Sequence, residues 1–357
     1  MRLQEKSCFQ PTRSVFYTYK IMEPMTPGQP SCGCSGYKSE VVFLEQLKSV
    51  RDRLPAECRQ SFDDIIEGRV LGASRHIRMI GDMMLAVARS ASEHKFADCI
   101  ALAEYFKERR GKSSYAFISA MNLLTRGFAA QDGPDTSEEI CRVVEGYFAD
   151  AQANTKKVVE YACRLAEPMQ TILVFDYSST VEKFVTALDR PRTVIIPESR
   201  AIGGGKPFVE SFVKAGHRVQ FIPDAAMLTV LDEVDGVFIG AETYYPDGTA
   251  FNTVGSDILA ELCRTHHVPY YVLTPLIKID MRAARGIFKP IIGADLSSRL
   301  AADWPEELRS AVDFYSIELV GIPPQLITAF VTEEGILPPA AMYAVAKDFN
   351  DKTNEVR

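Results

Sequence analysis

The chain has 357 residues, is 46% hydrophobic and 24% charged, and carries a net charge of −7. That apolar content suits a globular protein of two domains, and the acidity argues against direct binding of nucleic acid or an anionic membrane. No apolar segment approaches the roughly 20 residues that a bilayer span needs, and no apolar signal core opens the sequence.

Residues 1–38 mix Pro, Gly, Ser, Cys and aromatics without a period and are expected to form a flexible arm, with Met22 as a second candidate start. Cys32 and Cys34 stand close together with Cys8 nearby, but no second pair at finger spacing follows, so no metal site is expected. Cys58, Cys99, Cys141, Cys163 and Cys263 fall in patterned segments and read as reduced thiols, which points to the cytoplasm. Apolar residues three and four apart predict helices over 39–50, 73–90, 95–109, 114–124 and 137–165. These make a helical domain over 39–150, and Pro168 stops the last helix before the first strand.

Five short apolar runs follow, at 171–175, 193–196, 218–222, 236–239 and 270–273, separated by helical lengths. Runs of β-branched and aromatic residues at that spacing predict parallel strands buried on both faces. The expected fold class is α/β: a helical amino-terminal domain, then a Rossmann-like, doubly wound, mostly parallel sheet over 151–347, and a tail over 348–357. Residues 314–321 look like one further strand, and the segment after Pro323-Pro324 like a closing strand and loop near the carboxyl edge of the sheet.

A doubly wound sheet places its chemistry at the carboxyl ends of its strands. Asp176 and Glu242 follow the first and fourth runs. If those strands are neighbours, the two carboxylates share a crevice, and their repulsion can raise one pKa for acid–base work; each can equally cap a helix. Arg200 follows the second run and can grip a phosphate or pair structurally with Glu198. Gly203, Gly204 and Gly205 can cradle an oxyanion or form a plain tight turn. Asn252, Gly255 and Ser256, on a glycine-flanked turn before a helix, suit an anion for the same reason. The five histidines lack metal spacing and no Gly-x-Ser-x-Gly elbow occurs, which disfavours a zinc enzyme or a hydrolase triad. No metal or cofactor is expected.

Residues 240–260, Glu198-Ser199-Arg200, the strand 268–272 and the stretch from Pro323-Pro324 to Gly335 resemble, in order, the motifs of a superfamily with two branches. One branch holds the alpha, beta and delta subunits of eukaryotic initiation factor 2B. The other holds aldose–ketose isomerases acting on ribose 1,5-bisphosphate and 5-methylthioribose 1-phosphate. The resemblance implies a catalytic Cys where Asp176 stands, a catalytic Asp where Glu242 stands, and a phosphate-binding Lys where Thr253 stands. The family's amino-terminal phosphate loop falls at Leu71-Gly72-Ala73, without its Arg; Arg110 matches a turn that can restore the positive charge. Tyr177-Ser178 matches the initiation factor branch, which makes Ser178 a ligand candidate.

With those departures taken as losses, the expectation is an initiation factor 2B-like protein without isomerase activity. It would bind a phosphorylated sugar or nucleotide and act through protein contacts, in translation initiation or its regulation. The alternative is an aldose–ketose isomerase that works on a sugar phosphate through Asp176 and Glu242. The resemblance also implies a homodimer, or pairing with related subunits, with Phe238, Tyr244 and Tyr245 near the seam.

Overall fold

The computed structural model describes residues 48–354 except 68, 71–72, 112–113, 131–136 and 292. The expected arm, with Cys8, Cys32 and Cys34, lies outside the described residues, as does the Leu71-Gly72 part of the expected phosphate loop. Helices α1 (Arg59–Ile66), α2 (Ala73–Arg89), α3 (Lys95–Arg110), α4 (Tyr115–Leu124) and α5 (Ser137–Leu165) make the amino-terminal half. Their apolar faces meet around Phe62, Met84, Phe106, Phe117 and Met121, all shut off from solvent. Periodicity predicts α2 to α5 to within a residue at each end, because each buries one stripe along its length. It misses α1, which has only eight residues.

After α5 the chain alternates: β1 (Thr171–Phe175), α6 (Ser179–Thr186), β2 (Thr193–Pro197), α7 (Phe208–Lys214), β3 (Arg218–Ile222), a 3₁₀ stretch Asp224–Glu233, and β4 (Gly236–Ile239). Then come β5 (Thr243–Tyr244), β6 (Ala250–Thr253), α8 (Ser256–His266) and β7 (Tyr270–Leu273). An excursion holds β8 (Gly293–Asp295), α9 (Ser297–Leu300), α10 (Glu306–Ser310) and β9 (Tyr315–Ile317). The chain closes with β10 (Leu319–Ile322), β11 (Ala329–Thr332), β12 (Gly335–Leu337) and α11 (Met342–Asn354). Helix α5 runs unbroken through residue 150, and α11 carries past residue 348, so neither expected boundary coincides with the end of an element.

The main sheet has the order β12-β11-β7-β4-β1-β2-β3, parallel throughout except for β12. Successive residues of the central strands enter opposite cores, whereas β3, expected to be buried on both faces, lies at the sheet edge and is largely exposed. Leu173, Phe175, Val237 and Ile239 pack on the face of α8 and α11, whereas Ile172, Val174 and Phe238 pack on the face of α5, α6 and α7. The chain moves from β1 outward to β2 and β3, then returns to β4 on the other side of β1. The order therefore reverses between β1 and β4, and the crevice at that reversal is where an open α/β sheet takes its ligand.

Phe238 and Tyr244 are fully buried and Tyr245 nearly so, which corrects their expected place at a subunit seam. Phe238 lies between Phe184 and Tyr271, with ring centroids 4.7 and 5.1 Å away. Phe238→Ala is expected to cost about 4 kcal/mol, seen by calorimetry as a fall in thermal midpoint of ~8 °C. Residues 314–321 are not one strand: β9 pairs with β8, while β10 joins a second sheet ordered β10-β6-β5. No helix among the described residues is long and apolar enough to cross a membrane.

Candidate active site

Asp176 follows β1 with φ of 61°, in the left-handed region that side chains other than glycine seldom adopt. The strain turns its carboxylate back into the protein, where the residue is 6% exposed. Thr253 Oγ1 donates to its Oδ2 at 2.7 Å and Ser199 Oγ to its Oδ1 at 3.4 Å. Ser199 is itself held at a positive φ, its amide donating to Asp224 Oδ1 at 2.8 Å. The Gly203–Gly205 loop closes over this carboxylate, and a Cβ on Gly204 would overlap Asp176 Oδ1. The helix cap falls to Ser178, whose Oγ accepts the Val181 amide, so Asp176 is left for other work. Burial raises the Asp176 carboxyl above the usual carboxylate range. Hydrogen bonds from Thr253, the Tyr177 backbone and Ser199 oppose the rise, and repulsion from Glu242 adds to it. A lysine at 253 would hold Asp176 ionised; the threonine hydroxyl bonds it without neutralising it.

Glu242 is carried off β4 by Gly240, where a Cβ would meet Ser178 at 2.6 Å. The Glu242 amide donates to Phe251 O at 2.9 Å, and Thr243 pairs with Phe251, so Glu242 and Asn252 stand opposite on the β5–β6 ribbon. Asn252 is 6% exposed, and its Nδ2 has no hydrogen-bond partner among the described residues. On the other flank of β5, the segment 278–280 runs parallel to it, tied by the Asp280 amide to Tyr244 O and by Thr243 Oγ1 to Lys278 O. Lys278 Nζ donates to Ala241 O at 2.7 Å. Lys289 is fixed by its amide, which donates to the Tyr245 hydroxyl at 2.6 Å. Burial lowers both lysine pKa values, and Glu242 opposes the fall in both. Asp280 and Arg282 form a bidentate pair at 2.8 and 2.9 Å, with the guanidinium over the Tyr115 ring of α4. Glu242 thus lies in the field of two lysines and one buried carboxyl group.

Arg200 and Ser256 adjoin the Asp176 network through Ser199 and Thr253, whereas Arg110 lies in the helical half. The Arg200 guanidinium is exposed beside Glu198 at 3.8 Å, while its amide donates to Asp224. Arg110 ends α3, with Nη2 3.2 Å from His76 Nδ1 and its guanidinium over Phe117. Gly255 and Ser256 are tied into the fold at the start of α8. Gly255 has φ of 102° and no room for a Cβ against Phe175, and its amide donates to Asp257; Ser256 is fully buried, its hydroxyl donating to Thr253 O. Lys278 and Lys289 were missed because they enter from a segment without a strand-end signal.

A cavity of about 850 Å³ opens between the helical half and the carboxyl ends of β1, β7 and β11, lined by Arg78, Arg142, Lys183, Lys278 and Glu333 among others. Neither Asp176 nor Glu242 lines it, and Lys278 reaches from its wall to Ala241. No three His, Cys, Asp or Glu side chains among the described residues are grouped to hold a metal ion.

A sequence profile of the Initiation factor 2 subunit family matches residues 80–339. The chain belongs to this family. It is 24% identical over 293 residues to ribose 1,5-bisphosphate isomerase of Archaeoglobus fulgidus, covering 81% of this chain and 92% of that relative. It is 28% identical over 219 residues to methylthioribose-1-phosphate isomerase of Chloroflexus aurantiacus, covering 56% of this chain and 62% of that relative. Among solved structures, the translation initiation factor eIF-2B of Pyrococcus horikoshii OT3 shares the fold, with a TM-score of 0.65 and 19% identity over 80% of this chain and 98% of that one.

Relatives named as isomerases overturn the expectation of a non-isomerase. That expectation counted the departures at 176, 242 and 253 as independent losses. They are linked: β1 and β4 are neighbours, so Asp176 and Glu242 end adjacent strands, and Thr253 bonds Asp176.

Proposed function

We propose that the chain is an aldose–ketose isomerase acting on a phosphorylated sugar, with Asp176 as acid and Glu242 as base. The observation that carries this reading is two carboxyl groups at the β1–β4 reversal, one of them pushed towards its neutral form by burial. In an aldose 1-phosphate, whose O1 carries the phosphate, Glu242 takes the proton from C2. The C–H electron pair forms the C1–C2 double bond as the bond from C1 to the ring oxygen breaks, and the ring oxygen keeps that bond's pair and takes the Asp176 proton, which leaves an enol phosphate. Return of the proton from Glu242 to C1, with passage of the O2 proton to Asp176, leaves the ketose and restores both groups. The relatives named as sugar-phosphate isomerases support this class of substrate. Incubation with a panel of aldose phosphates in deuterium oxide, followed by NMR, is expected to show turnover with label entering at the exchanged carbon. Absence of turnover and exchange across the panel would sink the reading.

We also infer that the chain self-associates. The excursion between β7 and β10 exposes Phe288, Ile291, Trp304, Leu308 and Tyr315, a concentration of apolar side chains that monomers seldom leave in water. Light scattering is expected to give a dimer, and Phe288→Glu with Tyr315→Glu a monomer; a monomeric wild type at micromolar concentration would exclude the association. A cytoplasmic setting fits the free state of Cys58, Cys99, Cys141, Cys163 and Cys263.

A further inference from the structure

After β7 the chain makes a 3₁₀ turn, Leu276–Lys278, and then runs alongside β5. The last residue of the turn brackets Glu242 from both sides. Lys278 Nζ donates at 2.7 Å to the carbonyl of Ala241, the residue before Glu242, and Lys278 O accepts at 2.8 Å from Thr243 Oγ1, on the residue after it. The turn is itself held from the end of β11, where the buried Glu333 carboxylate accepts the Leu276 amide through both oxygens, at 3.0 and 3.2 Å. A lysine drawn in from solvent is ordinarily matched by a carboxylate, yet Lys278 is in ion-pair contact with none among the described residues and is held by a neutral carbonyl. The other acids at the turn are engaged elsewhere: Asp280 in its bidentate pair with Arg282, Glu333 on the Leu276 amide.

We propose that Lys278 is the positioning residue of the Glu242 base: its two hydrogen bonds fix the backbone on either side of Glu242, and its ammonium places a positive charge beside the carboxylate without binding it. The catalytic consequence rests on the isomerase reading; the link between Lys278 and Glu242 does not. Proton abstraction needs a carboxylate that is free to reach the substrate carbon and is nevertheless held in register, because a displacement of about 1 Å costs on the order of a hundredfold in rate. A contact salt bridge would hold the carboxylate but keep it from the carbon. Tying the lysine to Ala241 O instead holds the backbone and leaves the carboxylate open. The support is mutual, since burial lowers the Lys278 pKa and Glu242 opposes the fall.

The test uses the full chain and two readouts. With the aldose phosphate that wild type turns over, Lys278→Met is expected to lower kcat by about a hundredfold and leave KM nearly unchanged, and Lys278→Arg, which keeps both donor and charge, to recover about tenfold of the loss. A loss carried mainly by KM, or one that arginine does not recover in a folded protein, overturns the positioning role. The second readout needs no activity: nitrogen NMR of the lysine ammonium groups, with the Lys278 signal identified by its absence from Lys278→Arg. In Glu242→Gln the Lys278 titration is expected to move to lower pH, and an unmoved titration severs the link whatever the activity. No turnover across the panel together with a moved titration would instead refute the isomerase reading and leave the link standing. Should Lys278→Met fail to fold, the titration decides alone.

Discussion

Glu242→Gln is expected to lower kcat by about a thousandfold, with KM unchanged or lower and the thermal midpoint nearly unmoved. Glutamine keeps the shape of the side chain but cannot take a proton from carbon. The fold is not at stake, because Glu242 is tied to β6 through its backbone amide and its carboxylate accepts no hydrogen bond from the described residues. KM is not expected to rise, since glutamine does not repel an anionic substrate, and a loss confined to kcat marks an interaction made only in the transition state. A second consequence follows from the two lysines. Glu242 supports the positive charge of both Lys278 and Lys289, so its neutralisation lets them lose protons at lower pH. A kcat within tenfold of wild type would remove Glu242 from the role of base.

The central strands were legible because parallel strands buried on both faces need apolar residues at every position, which leaves an uninterrupted run in the sequence. The runs match β1, β3, β4 and β7 at both ends, and β2 extends by Pro197 alone. Strands β5, β6, β8, β9 and β10 leave no such mark. They are two to four residues long, and what makes them strands is pairing with distant partners, as β10 does with β6. Residues 314–321 look like one strand because local patterning does not reveal that the chain changes sheets at Glu318.

The same division runs through the site. Asp176 and Glu242 were legible because one directly follows an apolar run and the other stands three residues beyond one, and their proximity follows once β1 and β4 are neighbours. Lys289 was not, because its position depends on a hydrogen bond to a tyrosine 44 residues earlier. The function was misjudged for a related reason: each motif position was compared with the family one at a time. The Asp176–Thr253 hydrogen bond joins residues 77 apart, so the two departures appear as one only in three dimensions.

Asp176→Asn is expected to abolish isomerisation while making the protein more stable at neutral and alkaline pH. Asparagine cannot give a proton to the substrate oxygen, so the loss falls on kcat. The stability gain has a separate origin. The folded state holds the Asp176 carboxyl above its usual range, whereas the unfolded chain does not, so between those two values the folded state binds more protons. As pH rises through that window, the unfolded form ionises first and the native state loses stability. Below it both states are protonated and no difference remains. Above it an ionised carboxylate is buried without a described cation hydrogen-bonded to it, its partners being the hydroxyls of Thr253 and Ser199 and the Tyr177 backbone. Asparagine accepts from Thr253 in the same place and carries no charge, and the Ser199 hydroxyl can rotate to receive its amide. The expected gain is about 1 kcal/mol, seen as a thermal midpoint ~2 °C higher above neutral pH and vanishing in acid. In wild type the kcat profile should fall on the alkaline side as Asp176 ionises, because the acid must be protonated to act. A variant that is less stable at every pH would show that the carboxylate serves the fold instead, and its burial would then have no bearing on proton transfer.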